Sequence, residues 1–138
     1  MNLILKHRLM GEEGFRGTPY LDQFGNMTIG YGWAVNKRPM SEELGQIILE
    51  YQINEVEKDV LALNSIASWY LLLSPVRQSV ILDLAFNMGL NGFLGFKNMI
   101  AKSQAGDFAG ASDEMLNSAW AKQVPNRAKA LSDLFRNG

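Results

Sequence analysis

Cysteine is absent from this chain, and histidine occurs once, at His7. Without thiols there is no disulfide framework, no thiolate nucleophile and no Cys-ligated zinc. One imidazole excludes a HExxH zinc centre and any two-His metal site. His7 could formally serve as base to a serine, but no GxSxG elbow accompanies it. No cofactor or metal is implied, and acid–base chemistry here would fall to carboxylates. Surplus charge is missing too: 13 Lys+Arg stand against 14 Asp+Glu, net −1, with no broad basic footprint for nucleic acid. Long apolar runs are also lacking. Leu3-Ile4-Leu5 gives way at once to Lys6, His7 and Arg8, too soon for a signal-peptide core. The longest uncharged run, Val60 to Val76, contains Asn64, three serines and Pro75, whereas a membrane span needs roughly 20 mostly apolar residues. The expectation is a soluble protein with no Sec signal of its own, no stable membrane insertion and no nucleic-acid partner.

What is present suits one domain. The chain has 138 residues, 47% hydrophobic and 20% charged, which is ordinary globular usage and enough length for one sizeable core. Residues 1–138 are read as a single domain, α+β and predominantly helical. Leu3, Ile4, Leu5, Leu9 and Met10 predict a short first helix that stops near Gly11 or Gly14. From there to Trp33 the pattern changes: Gly17, Pro19, Gly25-Asn26, Gly30 and Gly32 punctuate short aromatic and β-branched stretches, as in a small antiparallel hairpin or meander. Ser41 with Glu42 and Glu43 starts the next helix, a hydroxyl cap followed by acids against the positive dipole end. Leu44, Ile47, Ile48, Tyr51, Val56 and Val60 carry its helical spacing to about Leu63. Ser74-Pro75 opens another helix, with Val76, Val80, Ile81, Leu84, Ala85 and Met88 facing inward and Gly89 ending it. Shorter helices are expected near Phe96–Gln104, Asp107–Ala119 and Asn126–Phe135.

The stretch Glu13 to Gly32 carries the chemistry. One acid, Glu13, sits where the first helix gives way to the hairpin; a second, Asp22, lies in the hairpin, and Thr28 follows. Two carboxylates on separate elements can face one another across a cleft, as glycoside hydrolysis requires, one protonated through desolvation and one ionised. A plainer reading stands beside it: Glu13 helps to end a helix and Asp22 caps a turn.

Order and spacing add to this. Glu13-Gly-Phe-Arg16, Asp22 and Thr28-Ile-Gly30-Tyr-Gly32 together resemble the T-even phage lysozyme family. So does a second block, Phe86-Asn-Met-Gly89, Asn91-Gly92, Gly95-Phe96, Asn98, Trp120 and Pro125-Asn-Arg127-Ala-Lys129. The blocks cover the first quarter and the last third of the chain, while about Ala34 to Leu73 matches only in being helical. The resemblance implies a lysozyme-like fold, with a small β lobe over about residues 12–40 and a long connecting helix and helical lobe over about 41–138. It implies a peptidoglycan muramidase that cuts the β-1,4 bond between N-acetylmuramic acid and N-acetylglucosamine. Carried over by position, Glu13 is the general acid, Asp22 activates or positions water and offsets oxocarbenium charge, and Thr28 holds that water. The family inverts the anomeric centre, for which the two carboxyls stand roughly 6.5–9.5 Å apart. Phe86 aligns with a cleft-lining aromatic and is expected either to stack on a sugar or, at least as readily, to be a buried core residue; Arg127 is expected to pair with Glu13. Glu12 is one residue off the pattern, about 100° round the helix, and is expected to be solvated. Trp69 and Trp120 are expected in the core.

The chain departs from the pattern in places. Trp33 stands where the family member compared has a histidine, so a supporting ion pair is missing. The linker from Gly32 to Ser41 is short, which implies a trimmed β lobe. Acids concentrate early: residues 1–69 hold nine acids and six bases, residues 70–138 five and seven. Attraction to an anionic wall is therefore assigned to Lys122, Arg127, Lys129 and Arg136. Two further readings stay open: a lytic transglycosylase, which needs one acid and neither Asp22 nor Thr28, and a non-catalytic wall-binding or virion structural domain. The expected partner is bacterial peptidoglycan and the expected state a monomer. An endolysin would wait in the host cytoplasm until a holin gives access to the wall; a virion-borne enzyme fits equally.

Overall fold

A computed structural model describes all 138 residues. They form two compact units, Met1–Ile48 and Leu49–Gly138, whose boundary falls inside one long helix. In the first unit, helix α1 (Leu3–Glu13) is capped by Asn2, whose side chain accepts from the Leu5 N–H at 3.0 Å. It stops at Gly14, where φ is +68°. Three antiparallel strands follow in the order β1 (Arg16–Leu21), β2 (Met27–Gly30) and β3 (Trp33–Ala34). Tyr20 pairs with Thr28 and Leu21 with Met27, but the register shifts between Arg16 and Tyr20. Pro19 lies in that irregular stretch, and a residue without an N–H is tolerated where the ladder is already broken. The sheet is the meander that the glycine and turn pattern predicts.

Helix α2 (Glu42–Ala62) starts as expected, with the Ser41 hydroxyl accepting from the Leu44 N–H at 3.2 Å and Glu42 and Glu43 in the first turn. The second unit continues with α3 (Asn64–Tyr70), α4 (Pro75–Leu94), α5 (Lys97–Gln104), α6 (Phe108–Leu116), α7 (Ala119–Gln123) and α8 (Pro125–Asn137). Gly89 breaks α4 at φ +76° and ψ 160°, so the helical run ends there before a further turn to Leu94. Three features differ from the sequence reading. Val76, expected to face inward from α4, is 41% exposed. Residues 64–70 form their own helix, with Trp69 and Tyr70 buried. The helix expected over 107–119 is instead two, because Ser118 caps a new start by accepting from the Ala121 N–H at 3.1 Å.

The core of this unit collects Val60, Ile66, Trp69, Tyr70, Val80, Ile81, Leu84, Phe93, Met99, Met115 and Phe135. Both tryptophans of the unit are core residues, Trp69 at 5% and Trp120 at 8% exposure. The Trp120 indole N–H is satisfied by Asn87 Oδ1 at 2.7 Å, as a buried indole requires. Arg77 ties α4 to the end of α8: its Nε donates to the Phe135 carbonyl at 2.7 Å and its guanidinium lies 3.8 Å from the Phe108 ring centre. A cation on those last carbonyls suits the negative end of the helix dipole. Tyr70 donates to Glu57 at 3.0 Å, and burial, with that carboxylate beside it, pushes the phenol well above its ordinary value.

Candidate active site

Glu13, Asp22 and Thr28 all belong to the first unit. Glu13 is the last residue of α1, and the positive φ of Gly14 turns the chain away beneath it. Its carboxylate rests on Gly32: a Cβ built there would lie 2.6 Å from Glu13 Oε2, and Gly32 has φ +76°. The glycine is thus favoured by its backbone conformation, and its missing side chain leaves the acid room in this position. Within its own unit this carboxylate takes no hydrogen bond or ion pair, and it is exposed, so the desolvation expected of a general acid is not found at Glu13. Glu12, its neighbour, has a side chain 61% exposed and only a loose contact of 3.8 Å with Arg8. It is solvated, as expected.

Asp22 is engaged on both oxygens. Its Oδ1 accepts from the backbone N–H groups of Phe24 and Asn26, each at 2.8 Å, and its Oδ2 accepts from the Asn26 side-chain amide at 3.3 Å. These bonds close the β1–β2 loop, helped by the Gly25 N–H donating to the Asp22 carbonyl at 3.0 Å. They also hold the Asp22 carboxyl below its ordinary value: the Asn26 N–H is the strongest influence, with the Phe24 N–H, the Asn26 amide and the charge of Lys37 acting the same way against partial desolvation. Hydrogen bonds that favour the charged form keep a carboxylate ionised. Thr28 is 3% exposed, and its hydroxyl donates to the Asn26 carbonyl at 2.9 Å. Asp22 and Thr28 therefore meet at one residue, Asn26. Sequence reasoning passed over Asn26 as half of a turn dipeptide, and Gly25-Asn26 was its only signal.

The second unit carries Phe86 and Arg127. Phe86 is 41% exposed and so is not a core residue. It lines a cavity of about 310 Å³ with Leu49, Ile53 and Val56 of α2, Leu82 and Asp83 of α4, and Arg127 of α8. Asp83 takes the Arg127 guanidinium, with Nε donating at 3.0 Å and a terminal nitrogen to the same oxygen. Nothing in the sequence pointed to Asp83, which lies 44 residues from its partner. Lys129 is bound to Asp133 at 2.8 Å and Arg136 to Asp113. Of the four cations assigned to wall attraction, Lys122 alone is unpaired.

Comparison with known proteins follows the same lines. The family model for phage lysozyme matches residues 10–136. The chain is 24% identical to probable T4-type lysozyme 1 of Dictyostelium discoideum, over 97% of this chain and 94% of that one. It is 27% identical to probable T4-type lysozyme 2 of the same organism, with the same coverage. It is also 24% identical to the pre-baseplate central spike protein Gp5 of Enterobacteria phage T4, across 99% of this chain but 28% of that longer protein.

Proposed function

The chain belongs to the phage lysozyme family and is a glycoside hydrolase of the lysozyme type; from that premise we propose that it is a peptidoglycan muramidase, cutting the β-1,4 bond between N-acetylmuramic acid and N-acetylglucosamine with inversion. The observation that carries this reading is the unequal engagement of two carboxylates in residues 1–48. Asp22 is held by three donors, while Glu13 has no partner within that unit. Those donors favour the charged form of Asp22, while nothing in the unit commits Glu13, which is left free to take up and give a proton.

Glu13, protonated, gives its proton to the glycosidic oxygen as the bond from that oxygen to the anomeric carbon breaks. Positive charge grows on the sugar ring, and water adds from the opposite face. Asp22 accepts the proton that this water loses, and solvent then resets both carboxyls. Thr28 has committed its own hydroxyl proton to the Asn26 carbonyl, so towards a water it can act only as acceptor. A water donating one hydrogen to Asp22 and the other to Thr28 keeps a lone pair free for attack. Phe86 offers a half-exposed ring for a sugar face. Arg127, neutralised by Asp83, contributes directed N–H donors rather than a free charge. Residues 1–138 act together as one catalytic domain on bacterial peptidoglycan. Two deployments share this chemistry, a holin-dependent endolysin and a virion-borne enzyme, and the likeness to a baseplate spike protein supports the second.

The test is digestion of purified peptidoglycan, with products read by mass spectrometry and reducing-end assay. New reducing N-acetylmuramic acid ends are expected, and Glu13→Gln is expected to release none while keeping its circular dichroism spectrum. Anhydro ends would make the protein a transglycosylase. Normal lysis by Glu13→Gln would sink the assignment of the acid.

A further inference from the structure

The short linker after Gly32 folds back on the catalytic hairpin. The Val35 N–H donates to the Met27 carbonyl at 2.9 Å, and the Lys37 and Arg38 N–H groups both donate to the Ala34 carbonyl, at 3.0 and 2.9 Å. Trp33 pins the far end of this turn, its indole N–H donating to the Arg38 carbonyl at 2.9 Å. The turn so fixed presents Asn36, whose amide nitrogen donates to Asn26 Oδ1 at 3.2 Å. Beyond Asn26 stand Asp22 Oδ2, taking its amide nitrogen at 3.3 Å, and the Thr28 hydroxyl and Asp22 N–H, both donating to its carbonyl at 2.9 Å.

The order of donors and acceptors along this chain leaves no choice. An ionised carboxylate only accepts. Asn26 must therefore turn its NH2 to Asp22, which leaves its oxygen facing residue 36, and residue 36 must supply a donor. A reversed Asn26 would set its oxygen against the carboxylate.

We propose that Asn36 is a positioning residue for hydrolysis: by donating to Asn26 it locks the amide that orients Asp22 at the carbonyl shared with Thr28, so the shortened linker braces the water site. This rests on the muramidase reading above.

The test compares wild type, Asn36→Ala and Asn36→Asp by kcat, KM and pH–rate profile on soluble peptidoglycan fragments. It adds a carboxyl NMR titration of Asp22, which needs no turnover. One modest hydrogen bond is at stake, so kcat should fall roughly two- to tenfold in Asn36→Ala, with KM unchanged. Asn36→Asp should fall further, because a carboxylate there would draw the Asn26 NH2 towards itself and turn its oxygen on Asp22. The Asp22 titration and the acid limb of the profile should move up in pH in both variants. Lys37 is the other charged group acting on Asp22, and it is untouched. Asn36→Asp adds a field of its own, so Asn36→Ala decides. An unmoved Asp22 titration in Asn36→Ala, or a kcat loss that only follows a lower melting temperature, overturns the brace while wild-type cleavage upholds the muramidase. Wild type releasing no reducing ends overturns the muramidase reading and, with it, the catalytic role of Asn36.

Discussion

Gly30 and Gly32 offer a matched pair for testing how Glu13 is placed. Both have positive φ, +69° and +76°. Alanine at either therefore meets the strain of a positive φ, roughly 1–2 kcal/mol. The surroundings differ. A Cβ at position 30 meets nothing within 4 Å, whereas at position 32 it would lie 2.6 Å from Oε2 and 3.0 Å from Cδ of Glu13. That clash is with the end of a flexible, exposed side chain, so Glu13 relieves it by swinging aside at small cost in stability. Catalysis is less forgiving: about 1 Å of misplacement is worth on the order of a hundredfold in rate.

Gly30→Ala and Gly32→Ala should thus melt lower than wild type by similar amounts, roughly 3–8 °C. They should differ sharply in turnover. Gly30→Ala should digest peptidoglycan at close to the wild-type rate below its melting range, and Gly32→Ala should lose roughly 10- to 100-fold in kcat. Differential scanning calorimetry and reducing-end release on the same samples measure both quantities. Equal activity in the two variants would refute the placement of Glu13 against Gly32. A loss of activity in both that follows only their stability would refute it too.

Thr28→Val keeps the shape and removes the water acceptor, so kcat should drop roughly tenfold with KM retained; steady-state kinetics on soluble glycan fragments reads this, and unchanged kcat would remove Thr28 from the site. Leu84, fully buried on α4, should cost about 2–5 kcal/mol when cut to alanine, measured as a lower urea midpoint. Asp22 also links stability to pH. Its carboxyl titrates lower when folded, so the unfolded chain takes the proton first, and this contribution is present above the unfolded value of about 3.9. It is lost as pH falls through the folded value. The stability gap between wild type and Asp22→Asn should accordingly narrow in acid, as followed by thermal unfolding from neutral pH downward. A constant gap would contradict it.

Local chemistry was legible in the sequence because it acts over a few residues. Ser41 with its two acids, Ser74-Pro75 and Gly89 each mark a boundary through the backbone groups or dihedrals they satisfy, and the structure places α2 and α4 there. Ser118 carries the same signal, yet the helix expected over 107–119 runs through it to its last residue. The Arg127–Asp83 pair was beyond reach for another reason. Which acid a guanidinium takes depends on how α4 and α8 pack, and the resemblance suggested a different partner. Asn36 lay hidden because a turn asparagine is usually explained by the turn itself.

Asp22 admits two readings from the sequence, a turn cap and a catalytic carboxylate; the geometry shows the cap, and the proposed catalytic role is compatible with it. The Phe24 and Asn26 N–H groups that close the loop are the donors that hold the carboxyl in its charged form. A carboxylate recruited for catalysis alone would need an ionising environment built around it; here the tight loop supplies one as a condition of its own folding. The loop bonds occupy Oδ1 twice, whereas Oδ2 has the Asn26 amide as its single protein donor. Oδ2 therefore keeps the greater capacity to accept from water. The oxygen that shapes the hairpin and the oxygen left open to water are different atoms of one side chain, and Asn26 governs both.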